Sequence, residues 1–238
     1  MTNMSQSKPT FSIITPTFNS DKFLGRCLLS VFQQSYSDYE HIVVDDGSTD
    51  NTVNIVNNFP SGNIVYIKQQ HLQRAIARNA GMVNAVGDWI IWLDADDLML
   101  PFYLEMARQV IEKYPKGKAF NWNGILLWNN FGVAVKQTAI VKKGEVFKSG
   151  GVMTGSFMFR RELLGKTGLL PDESNPYSFG SVFMDRFPEL KSLYAPRLEL
   201  GNPWGDDFAM WYLLTRIVTP IKIETAPYLV YIRGEQKL

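Results

Sequence analysis

The feature that most constrains the fold is an alternation of short apolar runs with amphipathic segments along the first half of the chain. Four runs have the length and composition of β-strands: residues 11–15, 41–46, 63–68 and 88–94. Four segments carry apolar residues at helical spacing: residues 21–34, 53–58, 72–86 and 101–113. Strands that alternate with helices predict an α/β fold, in which a mostly parallel sheet is covered by helices on both faces.

The alternation stops after residue 115, which divides the chain into two halves. We expect residues 1–9 to be a disordered tail, residues 10–115 to form the α/β half, and residues 116–238 to complete the same domain. The second half predicts short strands between residues 117 and 160 and a segment 171–205 that we interpret as a long ordered loop or lid. Its other predicted elements are a short helix in FMFRRELLGKTG (157–168), a helix at 208–217 and a last strand at 226–233.

Composition excludes several classes of function. A single cysteine, Cys27, rules out an internal disulfide and a cysteine zinc site, and two histidines argue against a histidine-rich metal centre. A net charge of +1 argues against a nucleic-acid partner gripped by bulk charge. Because the sequence has neither a signal peptide nor a membrane-spanning stretch, we expect a cytoplasmic protein, with peripheral contact at the inner membrane face left open.

Polar residues stand directly after three of the four predicted strands, at Thr15–Asn19, Asp45–Ser48 and Asp94–Asp97. In an open parallel sheet, ligands bind at the carboxyl ends of the strands. The three segments therefore converge on one predicted binding site.

The segment Asp94-Ala95-Asp96-Asp97 follows the apolar run WIIWL. Carboxylates at the end of a buried strand lose hydration, and a divalent cation compensates for that loss. Mg²⁺ or Mn²⁺ held by one or two carboxylates neutralises charge on a leaving phosphate. The alternative is a strand-to-helix turn in which Asp97 only caps the next helix.

The other two strand ends and the third helix offer weaker signals. One of Asp45 and Asp46 is expected to accept a hydrogen bond from a base or a sugar hydroxyl, against the alternative of a simple Asp-Gly turn. Phe18 either stacks on a base or belongs to the core. Arg74 and Arg78 lie one helical turn apart, and we expect one of them to contact the ligand unless the pair marks a solvated face.

A fifth cluster, Trp204-Gly205-Asp206-Asp207, precedes the helix predicted at 208–217. A carboxylate at a helix N-terminus is first a cap, and this interpretation is the stronger one for Asp206. A general base also needs a fixed geometry and partial exposure, which Asp207 would have. Trp204 would offer a platform for a sugar ring.

Together, these motifs resemble the family 2 glycosyltransferases, which are mostly inverting. The matching segments are FSIITPTFN, HIVVDDGSTDNT, ARNAG, GDWIIWLDADDLMLPFYLE, MFRRELL and GDDFAMWYLL. The resemblance implies a GT-A fold: a Rossmann-like, mostly parallel sheet flanked by helices, with a C-terminal acceptor-side lobe. It further implies that residues 10–115 bind a nucleotide-sugar and that residues 116–238 bind the acceptor.

The resemblance also assigns roles to residues of this chain. The nucleotide-sugar side would consist of Pro16, Thr17, Phe18, Asp46 at the uracil, and the D-x-D motif Asp94-Ala95-Asp96. To this side we add Thr15 and, from the pair Arg74 and Arg78, Arg78, although the resemblance does not decide between the two arginines. Asp96 would hold Mn²⁺ or Mg²⁺, Asp207 would be the catalytic base, and Trp204 and Asp206 would face the acceptor. The implied reaction is a metal-dependent inverting transfer of a sugar, from a UDP-sugar to a hydroxyl of a carbohydrate or glycolipid, as in polysaccharide biosynthesis.

Some features depart from the family pattern or suggest other proteins. The glycine-rich stretch that often precedes the ARN segment in the family is HLQRAI here, at residues 71–76. A haloacid-dehalogenase phosphatase would carry its D-x-D motif on the first strand, and a sugar nucleotidyltransferase would have a glycine-rich loop after that strand. A non-catalytic nucleotide or sugar binder on a degenerate fold is the remaining alternative, and the presence of Asp96 and Asp207 weighs against it.

Overall fold

A computed structural model of the protein describes residues 8–122, 124–128, 132–136, 155–170, 206–223 and 229–233. The first half contains β1 (Phe11–Thr17), α1 (Asp21–Phe32), β2 (Tyr39–Asp45), α2 (Thr52–Asn57), β3 (Ile64–Lys68), α3 (Arg74–Asn84), β4 (Trp89–Trp92), β5 (Leu98–Met99) and α4 (Tyr103–Lys113). The predicted alternation is therefore confirmed. Only the two-residue strand β5 was not predicted.

The described elements of the second half are mostly short strands. They are β6 (Ala119–Trp122), β7 (Gly124–Trp128), β8 (Gly132–Lys136), β9 (Phe157–Arg160), a 3₁₀ turn at Arg161–Leu163, α5 (Leu164–Thr167), α6 (Asp206–Ile217), β10 (Ile221–Ile223) and β11 (Leu229–Arg233). The predicted lid at 171–205 and residues 1–7 of the predicted tail lie outside the described residues. Among the described residues, no helix is long and apolar enough to cross a membrane.

Seven strands form the main sheet in the order β10-β6-β9-β4-β1-β2-β3. β1 pairs in parallel with β2 and β4, β2 with β3, and β6 with β10. β9 is antiparallel to both of its neighbours, β4 and β6. The predicted mostly parallel sheet is confirmed, and a second sheet in the order β5-β11-β7-β8 accompanies it.

The helix predicted in FMFRRELLGKTG is wrong in its first third, because Phe157–Arg160 is the strand β9. Phe157, Met158 and Phe159 are all fully buried, and their backbone is paired on both sides by β4 and β6. A short, continuously apolar run is compatible with either a buried strand or a buried helix. Pairing with neighbouring strands in the sheet determines which of the two forms.

The core lies on both faces of the main sheet, as the apolar character of β4 predicts. Ile90 and Trp92 pack in the cluster that also contains buried residues of α3 and α6, whereas Trp89 and Ile91 pack with buried residues of α1 and α4. Burying a large apolar side chain contributes roughly 1.5–3 kcal/mol, so these two layers hold the strands in place. The carboxyl-terminal edge of the sheet is thereby a rigid base for the loops that follow the strands.

Candidate active site

The register of the central strands brings the three predicted segments to one edge of the sheet. Thr17 lies opposite Asp45 at the ends of β1 and β2, and the Asp46 N–H donates to the Thr17 carbonyl at 2.8 Å. At the end of β4, the Leu93 N–H donates to the Ile14 carbonyl at 3.0 Å. The expected convergence of these strand ends is confirmed.

Three carboxylates form an acidic cluster after β4. One oxygen from each of Asp94, Asp96 and Asp97 lies within 4.8 Å of the others. Asp97 is not a helix cap as the alternative interpretation had it, because β5 intervenes and α4 begins at Tyr103. Close like charges repel, and several hard oxygen ligands at this spacing suit a divalent cation.

Cys27 lies directly beneath this acidic cluster. Its side chain is fully buried, and the Sγ–H donates to the Asp94 carbonyl at 3.6 Å. Burial, and then the negative charges of Asp97 and Asp96, raise the pKa of the Cys27 thiol well above its usual range. The thiol is therefore neutral and structural.

Arg78 is buried beneath Asp94 and does not mark a solvated helix face. Its side chain is 0% exposed, and Nη2 donates to Asp94 Oδ1 at 2.6 Å. The Cζ atom also lies 4.5 Å from the centroid of the Trp92 ring. A buried guanidinium needs such partners, and the ion pair fixes the orientation of Asp94. Arg74, one turn earlier on α3, is exposed.

The next residue in the ARN segment, Asn79, has a role that the sequence did not reveal. Its side-chain amide donates to the Leu170 carbonyl at 2.9 Å and accepts from the Leu170 N–H at 3.0 Å. Both groups of a buried backbone unit are thereby satisfied. Asn79 anchors the chain at the residue that immediately precedes segment 171–205.

Asp45 and Asp46 differ sharply in what they contact. Asp45 is 0% exposed, and its carboxylate accepts from the Ser48 N–H at 2.8 Å and from the Tyr66 hydroxyl at 2.6 Å. Burial, together with Asp45, raises the pKa of the Tyr66 hydroxyl. Asp45 therefore holds the turn after β2 in shape and is not free to bind a ligand.

The Asp46 carboxylate is the centre of a network formed by residues 69–73, which we call the clasp loop. Oδ1 accepts from Gln69 Nε2 at 2.6 Å and from the Leu72 N–H at 2.9 Å. Oδ2 accepts from the Gln73 N–H at 2.9 Å and contacts His71 Nδ1 at 2.8 Å. Asp46 itself is only 3% exposed, because the clasp loop covers this carboxylate.

The backbone of the clasp loop is strained at Gln73. This residue has φ 79° and ψ 158°, a region that only glycine adopts readily. It stands in HLQRAI, where the sequence departs from the glycine-rich pattern of the family. This departure from the family pattern is the sequence feature that points to Gln73. The Leu72 and Gln73 N–H groups donate to the Asp46 carboxylate, and these two hydrogen bonds hold the strained conformation.

The residues expected to line the nucleotide at the end of β1 have unequal access to it. The side chains of Thr15, Pro16 and Thr17 are buried, and the Thr15 hydroxyl bonds His41 Nε2 at 2.9 Å in the interior. Thr15 therefore supports the strand and does not line a surface. Phe18 is 42% exposed and stacks on the His71 ring with centroids 4.0 Å apart, so it does not belong to the core.

Two of the last predicted residues, Asp206 and Asp207, lie at the start of α6. This helix begins at Asp206, which places Asp206 and Asp207 in its first turn, two residues earlier than predicted. Their side chains and all of Trp204 lie outside the described part of the chain. Further along α6, Met210, Trp211 and Leu214 are buried against the main sheet. The catalytic role of Asp207 and the acceptor-side roles of Trp204 and Asp206 stay predictions.

Comparison of the sequence with known proteins identifies a family and several relatives. The profile of glycosyl transferase family 2 matches residues 12–168. EpsE of Bacillus subtilis, a putative glycosyltransferase, is 31% identical over 165 residues, which are 65% of this chain and 59% of that protein. The Escherichia coli glucosyltransferase WfgD, whose name specifies UDP-Glc and α-D-GlcNAc-diphosphoundecaprenol, is 28% identical over 74% of this chain and 66% of its own. The chain thus spans less than two thirds of either relative.

Several solved structures are also similar to this chain. Residues 1–349 of TarS from S. aureus in complex with UDP-GlcNAc superpose with a TM-score of 0.67 at 22% identity, over 95% of this chain and 59% of that one. A mannosyltransferase from Pyrobaculum calidifontis in complex with GDP-Man and Mn²⁺ gives 0.55 at 18% identity, over 98% and 59%. These likenesses establish the GT-A type of fold that the motifs predicted. From the profile match over most of its length, the chain belongs to glycosyl transferase family 2.

Proposed function

We propose that this protein transfers a sugar from a UDP-sugar to a hydroxyl group of a carbohydrate or glycoconjugate acceptor. The observation that carries the proposal is the placement of the acidic cluster at Asp94–Asp97 on the same sheet edge as Asp46 and Phe18. This arrangement offers a cation site for a diphosphate and, beside it, a carboxylate and an aromatic ring for a base. TarS in complex with UDP-GlcNAc and the name of WfgD both favour UDP as the nucleotide.

The acidic cluster fits a divalent cation, Mn²⁺ or Mg²⁺. Its donor set is entirely carboxylate oxygen from Asp94, Asp96 and Asp97, and the resemblance of Asp94-Ala95-Asp96 to a D-x-D motif favours Asp96 as the principal ligand. A bound cation would supply charge neutralisation at the diphosphate leaving group. The Mn²⁺ complex of the Pyrobaculum enzyme supports this choice.

Asp207 is proposed as the catalytic base, in the first turn of α6. There it would take the proton from the acceptor hydroxyl as the oxygen attacks the anomeric carbon. The bond to UDP breaks in the same step, so an α-linked sugar gives a β-linked product. Residues 10–115 would bind the nucleotide-sugar, while residues 116–238, with Trp204 and Asp206, would bind the acceptor.

The biological role is proposed at a coarser level. The name of WfgD specifies a sugar linked to diphosphoundecaprenol, which favours a role in polysaccharide or glycolipid synthesis for a cytoplasmic enzyme in peripheral contact with the membrane that carries its acceptor. A non-catalytic binder would bind UDP as well but would transfer no sugar. Turnover therefore separates these two functions, and binding alone does not.

The experiment has a binding arm and a turnover arm. Calorimetry measures UDP binding with and without Mn²⁺ for the wild type, Asp96→Ala and Asp207→Asn. We expect Asp96→Ala to lose at least about ten-fold in Mn²⁺-dependent affinity, and Asp207→Asn to bind UDP normally. Release of UDP from a panel of UDP-sugars with polysaccharide or lipid-linked acceptors measures turnover, where loss of a general base costs about 10²- to 10⁴-fold.

Asp88→Ala is the matched control, because Asp88 is an exposed aspartate just before β4, at the opposite edge of the sheet. It should bind UDP and turn over like the wild type. Unchanged Mn²⁺-dependent binding in Asp96→Ala would remove Asp96 from the cation site. Wild-type turnover by Asp207→Asn would remove Asp207 from the role of base.

A further inference from the structure

The His71 side chain occupies an unusual position beside the predicted base site. Its ring stacks on Phe18 with centroids 4.0 Å apart and planes inclined by 22°. Its Nδ1 lies 2.8 Å from Asp46 Oδ2 and 3.0 Å from the Asp46 carbonyl oxygen. Since a carbonyl oxygen only accepts hydrogen bonds, the Nδ1–H donates to the Asp46 carbonyl and lies beside the Asp46 carboxylate.

These two contacts are the ones that the proposed function requires of a nucleotide base. A uracil ring would stack on Phe18 and donate its N3–H to the Asp46 carboxylate. Two aromatic rings in contact at 4.0 Å leave no space for a third ring between them. His71 and the base therefore compete for the same ring face and the same carboxylate oxygen.

We propose that His71 is an internal ligand of the base site, which it must leave before a nucleotide-sugar binds, so that it sets the affinity for the sugar donor. The inference rests on the proposed function and names a residue that this function does not otherwise need. Displacement does not require the clasp loop to unfold. The His71 side chain is 45% exposed, so rotation about its own side-chain bonds carries the ring into solvent.

The hydrogen-bond count at Asp46 favours such an exchange. Once His71 departs, Oδ1 keeps the Gln69 and Leu72 donors and Oδ2 keeps the Gln73 N–H. The base N3–H then takes the place beside Oδ2 that His71 Nδ1 occupies at 2.8 Å, and Oδ2 accepts a hydrogen bond from it. Since a buried carboxylate is costly to leave unsatisfied, a one-for-one exchange of donors is the least costly path.

The backbone of the clasp loop is also fixed against larger movement. It approaches Gly47 so closely that a Cβ at that position would lie 2.9 Å from the His71 backbone nitrogen. The Gln69 N–H in addition donates to the Asp45 carbonyl at 2.9 Å. Movement is therefore confined to the His71 side chain, whose only described partners are Phe18 and Asp46.

The test compares UDP binding by the wild type and His71→Ala in the presence of Mn²⁺. If the histidine occupies the site in all but about a tenth of the molecules, the apparent Kd of the wild type exceeds that of the variant by about ten-fold. The expected result is therefore tighter binding by His71→Ala. Val83→Ala, a change at an exposed position on α3, should leave the Kd unchanged.

A second measurement uses the wild-type protein alone. Nuclear Overhauser contacts between the His71 and Phe18 rings should be present without nucleotide and disappear when UDP is added. Equal or weaker UDP binding by His71→Ala, or ring contacts that persist at saturating UDP, would overturn the proposal. Absence of UDP binding by both folded proteins would instead contradict the proposed function, and the two failures are thus distinguishable.

Discussion

The strained backbone at Gln73 leads to an uncommon prediction, namely that replacing a side chain at the candidate site by glycine stabilises the protein. Gln73 is one of two non-glycine residues with positive φ among those described, the other being Asn19 at φ 48°. Asn19 lies in the left-handed region that asparagine tolerates, whereas Gln73, at φ 79° and ψ 158°, does not. The perturbation is therefore Gln73→Gly.

The magnitude follows from two opposing contributions. A side chain in this region of backbone space costs about 1–3 kcal/mol, and glycine removes that cost. Glycine also gives the unfolded chain more freedom, which returns about 0.5–1 kcal/mol. The net expectation is a gain of about 0.5–2 kcal/mol, or a rise in Tm of roughly 1–8 °C for a chain of this size.

The assay is chemical denaturation followed by tryptophan fluorescence, with thermal melting as a second probe. Gln73→Ala is the matched control, since alanine removes the same polar group but keeps the Cβ that causes the strain. We expect Gln73→Gly to be clearly more stable than both the wild type and Gln73→Ala. If the glycine variant is no more stable than the alanine variant, the backbone at Gln73 is not strained and the reasoning is refuted.

Two further predictions concern Gly47, in the turn after β2, and His41, which is buried within β2. Gly47→Ala should lower the free energy of unfolding by about 2 kcal/mol, since φ is 84° and the new Cβ would lie 2.9 Å from the His71 backbone nitrogen; urea denaturation that shows no loss would contradict this. Burial lowers the pKa of His41 from 6.5 to about 3, so between these two pH values His41 is protonated in the unfolded chain and neutral in the folded protein. The contribution of neutral His41 to the free energy of unfolding should therefore be complete above pH 6.5 and should fall by about 2 kcal/mol by pH 5. In His41→Gln, the loss of stability between these pH values should be smaller. An equal pH dependence of stability in the two proteins would contradict this prediction.

Most of the fold could be predicted from local sequence patterns, and the errors of that prediction have identifiable causes. The alternating first half was predicted to within two residues at each end, because hydrophobic period and strand-ending polar residues are local properties. The strand Phe157–Arg160 was mistaken for a helix because its conformation depends on pairing with β6 and β4, whose paired residues are 36–40 and 67–71 positions away in sequence. No local pattern carries that information.

The candidate site divides in the same way. Because the carboxyl ends of parallel strands share one edge, the sequence by itself determined that Asp46 and Asp94–Asp97 would lie together. Only the tertiary structure decided that Arg78 is buried against Asp94, that Asn79 holds Leu170, and that His71 lies on Phe18. Those contacts depend on how α3 packs against the sheet and where the clasp loop crosses Asp46. Helical spacing and residue type specify a face and a chemistry, whereas the partner of each side chain is set by packing between elements distant in sequence.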